Sequence, residues 1–92
     1  VYVLADCANH VFVDCGPVGL DGRGGHGHND LLSYEAVLSG ERLVVDAGCY
    51  VYTADFAERN AFRSTAYHNT PRVDGEEINR IPAPDLLWSL CP

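Results

Sequence analysis

Apolar and polar residues alternate in short runs along most of the chain, the period-two pattern of strands with one face turned inward and one toward water. Val1–Ala5 and His10–Asp14 are the first two runs, and the turn-forming stretch Asp6–Asn9 between them predicts a hairpin. His10 alternates with Phe12 and Asp14 and reads as an ordinary outward-facing histidine. Leu31–Leu38 suits helix or strand by propensity, and alternation sets Leu32, Tyr34, Ala36 and Leu38 on one face. Ser39-Gly40-Glu41 then leads into Arg42–Asp46, an apolar β-branched run, which predicts a second hairpin. Ala47–Gly48 bends the chain, and Cys49–Thr53 alternates again, with Tyr50 and Tyr52 on one side. Tyr67–Val73, carrying His68, reads as a further strand; beyond the Asp74-Gly75 turn, Glu76–Arg80 is placed to pair back. Ala54–Phe62 is the one segment of helical character. Pro82 and Pro84 break the chain after Arg80, and Leu86–Leu90 with Trp88 reads as a terminal strand or as apolar surface awaiting another part of the protein. The sum is all-β: an antiparallel, sandwich-like fragment with glycine-rich loops and at most one short helix.

Composition narrows the classes of function. Ninety-two residues make one small domain, with a thin margin of stability unless a metal, disulfide or neighbour adds to it. There is no Met, and Val1 opens directly into an apolar run, as expected of an internal piece of a longer protein. No apolar run approaches the ~20 residues of a membrane span. The net charge of -7 argues against nucleic acid or an anionic membrane as partner. All six basic residues are Arg, the better fork for a carboxylate or sulfate, and Arg59 and Arg63 are the pair to watch as binders of an anionic sugar. Cys7, Cys15, Cys49 and Cys91 form no C-x-x-C pair, which removes zinc-finger and thioredoxin-type motifs. Two disulfides are open to them, although the apolar surroundings of Cys15 and Cys49 favour buried free thiols.

The chemistry gathers around Gly24–Asp30, GGHGHND, at the end of the loop Cys15–Asp30, in which seven of sixteen positions are Gly or Pro. Glycine lets a backbone take positive φ or lets another group approach closely. Histidines one residue apart point to the same side when extended, so His26 and His28 face one volume. The alternative reading of the stretch alone is a glycine-rich turn with two exposed imidazoles. Two further groups, Asp46 and His68, stand at strand ends, and two imidazoles with one carboxylate suit zinc with a fourth position open. Asp30 is a rival carboxylate, or one that orients a ligating histidine from outside. Taken singly, Asp46 could be a strand-end cap and His68 a core histidine bonded to backbone.

Three blocks carry a family resemblance in order: GGHGHNDLLSYEAVLSG, then RLVVDAGCYVY, then RNAFRSTAYHNT with VDG after it. Together, from about Phe12 to Arg80, they resemble the heparinase II/III-like family of polysaccharide lyases. The resemblance implies a helical (α/α) toroid followed by a largely antiparallel β-sandwich, with residues 1–92 falling in the β region and the toroid outside this sequence. It implies that His26 faces the substrate cleft, that His28 binds a metal, usually zinc, and that Asp46 and His68 complete the ligand set. It also implies a tyrosine near substrate, for which Tyr52 is the candidate beside Tyr50. The expected partner is an acidic polysaccharide, and the expected location is periplasmic or secreted.

Lyases of this kind break a glycosidic bond beside a uronic acid by β-elimination. A base removes the C5 proton once the neighbouring carboxylate is neutralised, and an acid protonates the leaving oxygen at C4. His26 suits the base or the neutralising group, since an imidazole titrates near neutral pH. Other principal groups of the family come from the toroid, so the isolated chain is expected to bind metal with little or no turnover. The metal is expected chiefly to clip strand ends together. A cupin-type metalloenzyme also uses H-x-H on a β scaffold, but normally places a glutamate three or four residues on. Here six residues separate His28 from Glu35. A non-catalytic sugar-binding or structural β module is the remaining reading; it predicts that replacing His26 changes no activity.

Overall fold

The computed structural model describes residues 1–20 and 23–91. Gly22, one of the loop glycines, lies outside the described residues. Four strands, β1 (Tyr2–Ala5), β2 (His10–Val13), β3 (Tyr34–Leu38) and β4 (Glu41–Val44), precede one short helix, α1 (Phe56–Phe62), and a 3₁₀ turn at Thr65–Tyr67. The strands form one antiparallel meander in the order β1-β2-β3-β4, so the all-β reading and both hairpins hold. Tyr2 pairs with Val13, Val11 with Ala36 and Leu38 with Glu41, with an irregularity between Ala36 and Val37.

Side chains set both hairpin turns. Asp6 Oδ1 accepts from the N–H groups of Ala8 (3.0 Å) and Asn9 (2.9 Å), which closes the first. The second is a two-residue connection with positive φ at Ser39 (53°) and Gly40 (80°), the sign that matches the twist of paired strands. Asn9 Oδ1 accepts the Ser39 N–H at 2.8 Å and binds the two turns together.

Helix α1 starts where Asp55, extended at φ -147°, accepts the Glu58 N–H at 2.9 Å. Arg59 on α1 and Arg63, which caps its C-terminus four residues on, are both turned inward. Arg63 donates through Nη1 to the carbonyls of Leu87 and Ser89 (2.9 Å each), through Nη2 to Leu86 (3.0 Å) and through Nε to Asn60 (2.9 Å). The C-terminal segment is thereby clamped to the helix, with Leu87 and Leu90 buried. Arg80 and Cys91 form an antiparallel bridge at its far end.

Three local expectations give way to longer-range contacts. Cys49–Thr53 is not a strand, because Tyr50 takes φ 52° and breaks the alternation. Tyr67–Val73 is not a strand either. Thr65–Tyr67 coils into the 3₁₀ turn, and Asn69 spends its side-chain N–H on Val45 O (2.8 Å) at the sheet margin. Glu76–Arg80 pairs with no strand of the sheet, being held instead through side chains from the histidine loop. The cysteines are free thiols, but Cys15 is exposed and Cys49 only half-buried, since both lie in loops beyond strand ends.

Candidate functional site

The paired-histidine loop is cast against the C-terminal segment. Gly24 sits at φ 70°, and a Cβ there would lie 2.7 Å from Leu90 Cβ, so only glycine admits both the backbone and the contact. Beyond it, His26 and His28 line one cleft of about 560 Å³ with Asp14, Asp30 and Asp46. Both thus border one volume, although the His26 ring packs beside Tyr52 and Trp88 and the His28 ring beside His68. His26 is exposed and His28 half-buried.

Behind the cleft wall the side chains form a relay. Arg59 Nη1 lies 2.7 Å from His28 Nε2, His28 Nδ1 lies 3.1 Å from His68 Nε2, and His68 Nδ1 lies 2.6 Å from Asp46 Oδ1. A guanidinium only donates and a carboxylate only accepts, which fixes the direction. Arg59 donates to His28, His28 to His68, and His68 to Asp46, both imidazoles being neutral. Burial, and then the charge of Arg59, lowers the His28 pKa from 6.5 to about 4, in keeping with that state at neutral pH. Burial works to raise the Asp46 carboxyl, but bonds from His68 and from the Gly48 N–H (2.7 Å) outweigh it and hold it below 3.8. Asp30 moves the other way: burial raises it, and the Asp14 and Asp46 charges add to the rise.

The donor chemistry suits a divalent ion. Two nitrogens bound to one tetrahedral zinc at about 2.0–2.1 Å stand roughly 3.3 Å apart, close to the 3.1 Å between His28 Nδ1 and His68 Nε2. The cleft adds three carboxylates, and no Lys or Arg is among its described lining residues. The arrangement seen is nonetheless the hydrogen-bonded one. Among the described residues, no three His, Cys, Asp or Glu side chains converge on one point. Asp46 meets the outer nitrogen of His68, as a carboxylate that orients a ligating histidine does. An ion on His28 Nδ1 would need a proton on Nε2, where Arg59 now donates, so Arg59 has to release that bond.

Arg59 and Arg63 are not surface anion binders in this arrangement; both are 0 % exposed. Arg63 is spent on carbonyls. Among the described residues Arg59 Nε and Nη2 have no hydrogen-bond partner, and the Arg59 Cζ lies 5.2 Å from the Tyr52 ring centroid and 5.9 Å from that of Trp88. Tyr52 is exposed, with its ring 5.9 Å from that of His26. Hydrogen bonding to Cys49, and then the charge there, raises the Tyr52 phenol above 10, so it holds its proton.

Sequence reasoning missed the groups that hold the relay in place. Asn29, 0 % exposed, donates to Glu77 Oε2 and to Asn79 O (2.7 Å each) and accepts the Asn79 N–H at 3.0 Å. The same Glu77 oxygen accepts from Thr65 N (2.8 Å) and Thr65 Oγ1 (2.9 Å). One carboxylate thus joins the residue after His28 to the turn that delivers His68. Burial works against its charge, but these bonds prevail and hold Glu77 below 4.5. The only sequence signal was position: Asn29 adjoins His28, and Glu77 comes just after the Asp74-Gly75 turn.

The family model described as Heparinase II/III-like, C-terminal, matches residues 1–87. No curated relative and no solved structure matches the chain.

Proposed function

Because the chain belongs to the heparinase II/III-like family through its C-terminal domain, and so is a polysaccharide-lyase-related domain, we propose that it serves β-elimination of a uronic-acid-containing polysaccharide. The observation that supports this most is the pairing in one cleft wall of an exposed imidazole, His26, with the held relay His28–His68–Asp46.

His26 takes the C5 proton of the uronate. The electron pair of that C–H bond forms the C4=C5 double bond, and the C4–O bond breaks. Tyr52, whose ring lies beside His26 and whose phenol is protonated, supplies the proton to the leaving oxygen. His28 and His68 would hold the family's metal, with Asp46 orienting His68 from outside; the ion would chiefly clip the histidine loop to the turn that carries His68, and its positive charge would also help offset the substrate carboxylate in a cleft that carries three acidic side chains. Further substrate contacts come from the toroid of the parent protein, and the enzyme works in the periplasm or outside the cell, where such polymers are met.

The test is turnover of uronic-acid polymers by the intact protein, measured as unsaturated product. His26→Ala is expected to lower kcat at least about 100-fold without changing the melting temperature. Elemental analysis should find a divalent metal that His28→Ala and His68→Ala lose and His26→Ala keeps. Full activity in His26→Ala would instead make this a sugar-binding or structural module.

A further inference from the structure

His26 also borders a second cleft, of about 560 Å³, which it lines with Arg23, Trp88 and Leu90. Its size is within the roughly 300–1,000 Å³ usual for small-molecule sites. Trp88 is 42 % exposed, yet it is not a loose surface ring. Arg63 Nη1 holds the carbonyls of both its neighbours, Leu87 and Ser89, at 2.9 Å. The side chain stacks on Tyr52, with centroids 6.0 Å apart and planes 15° apart, and sits 5.3 Å from His26. Two arginines that are 0 % exposed, Arg59 beside the ring and Arg63 on the backbone, thus present an aromatic surface to solvent. Exposed Arg23 contributes a cation to the same cleft in a protein of net charge -7.

We propose that Trp88 and Arg23 form a sugar-binding subsite adjoining His26, which takes one uronic-acid ring of the polymer next to the ring being cleaved. The apolar C–H face of a pyranose lies on the indole, and its carboxylate meets the Arg23 guanidinium. An aromatic surface alone would accept any apolar partner; the cation and the shared His26 select an acidic sugar chain. The acidic cleft on the other side of His26 has no such cation among its described lining residues, so the two clefts divide the work of holding and cleaving.

This inference rests on the proposed lyase reading, and the intact protein separates the two. Trp88→Ala is expected to raise KM for a uronic-acid polymer about tenfold with kcat within twofold, while Trp88→Phe restores most of the loss. The penalty should shrink on the shortest oligosaccharide that is still cut. Arg23→Gln should raise KM and flatten its dependence on salt. Trp88 is the sole tryptophan of the 92 residues, so oligouronate should alter an emission component that Trp88→Phe lacks. Polymer KM values for Trp88→Ala and Arg23→Gln equal to the parent's would overturn the subsite and leave the lyase reading standing. A parent protein that neither binds nor cuts uronic-acid polymers would overturn both.

Discussion

The strands and the irregular half of the chain invert the usual placement of side chains. In the sheet, apolar residues are outside: Tyr2 and Leu4 are each 69 % exposed, and only Ala36 is a buried apolar strand residue. In the segments around α1, polar residues are inside: Asn29, Arg59, Arg63 and Thr65 are all but fully enclosed. The strands hold together by backbone pairing and turn chemistry, whereas the site is held by side-chain hydrogen bonds that cross long stretches of sequence. Such bonds are directional and costly to leave unmade, so they set distances between functional groups more sharply than apolar packing does. A relay with successive spacings of 2.7, 3.1 and 2.6 Å needs that sharpness.

The contrast predicts a ranked set of effects. Arg63→Met should be the most damaging, because it leaves the carbonyls of Leu86, Leu87 and Ser89 without their donor. A loss of about 3 kcal/mol or more is expected in urea unfolding, with Trp88 emission shifting to the red as the segment releases. Glu77→Gln comes next, at about 1–2 kcal/mol, because an amide replaces the carboxylate that accepts three N–H or O–H groups. Nitrogen NMR shifts of His28 and His68 should move with it, which would tie the joint to the relay.

Acid sharpens the same point. The Glu77 pKa lies below 4.5 in the fold, so its contribution is complete above pH 4.5. As pH falls, the unfolded chain takes up the proton first, and the contribution drains away as pH passes down through the folded value. Glu77→Gln should flatten that part of the stability profile; an unchanged acid slope would remove Glu77 as its source. The smallest effect is expected in the sheet. Leu43→Thr, at a residue 63 % exposed, should change stability by no more than about 0.5 kcal/mol in this chain. A larger loss in the intact protein would reveal that another part of it covers this face.

The same division explains how much could be read from the residues. Both hairpins were legible because alternation and turn chemistry are local, as at Ser39-Gly40; the helix was legible as a segment, while its start at the Asp55 cap emerged from the structure. Residue type and family resemblance singled out His28, Asp46 and His68 as ligands of one ion, but not the hydrogen-bonded order in which they stand, Asp46 behind His68 and His68 behind His28. Neither singled out Asn29 and Glu77, for they are 48 residues apart and no periodicity links them. Arg59 and Arg63 misled for a related reason. Arginines four apart read as a fork free to take an anionic sugar until their carbonyl and imidazole partners are known. Trp88 was read as surface or terminal strand because the clamp beneath it comes from Arg63, 24 to 26 residues away from the carbonyls it grips.

The Gly24–Leu90 contact bears on where this unit can be cut. The match to the family stops at residue 87, whereas the surface that shapes the two-histidine loop includes Leu90. A version trimmed to the family boundary would keep every candidate ligand and lose the template they are folded upon. Weak activity in such a truncation would then report a missing scaffold, not a missing catalyst.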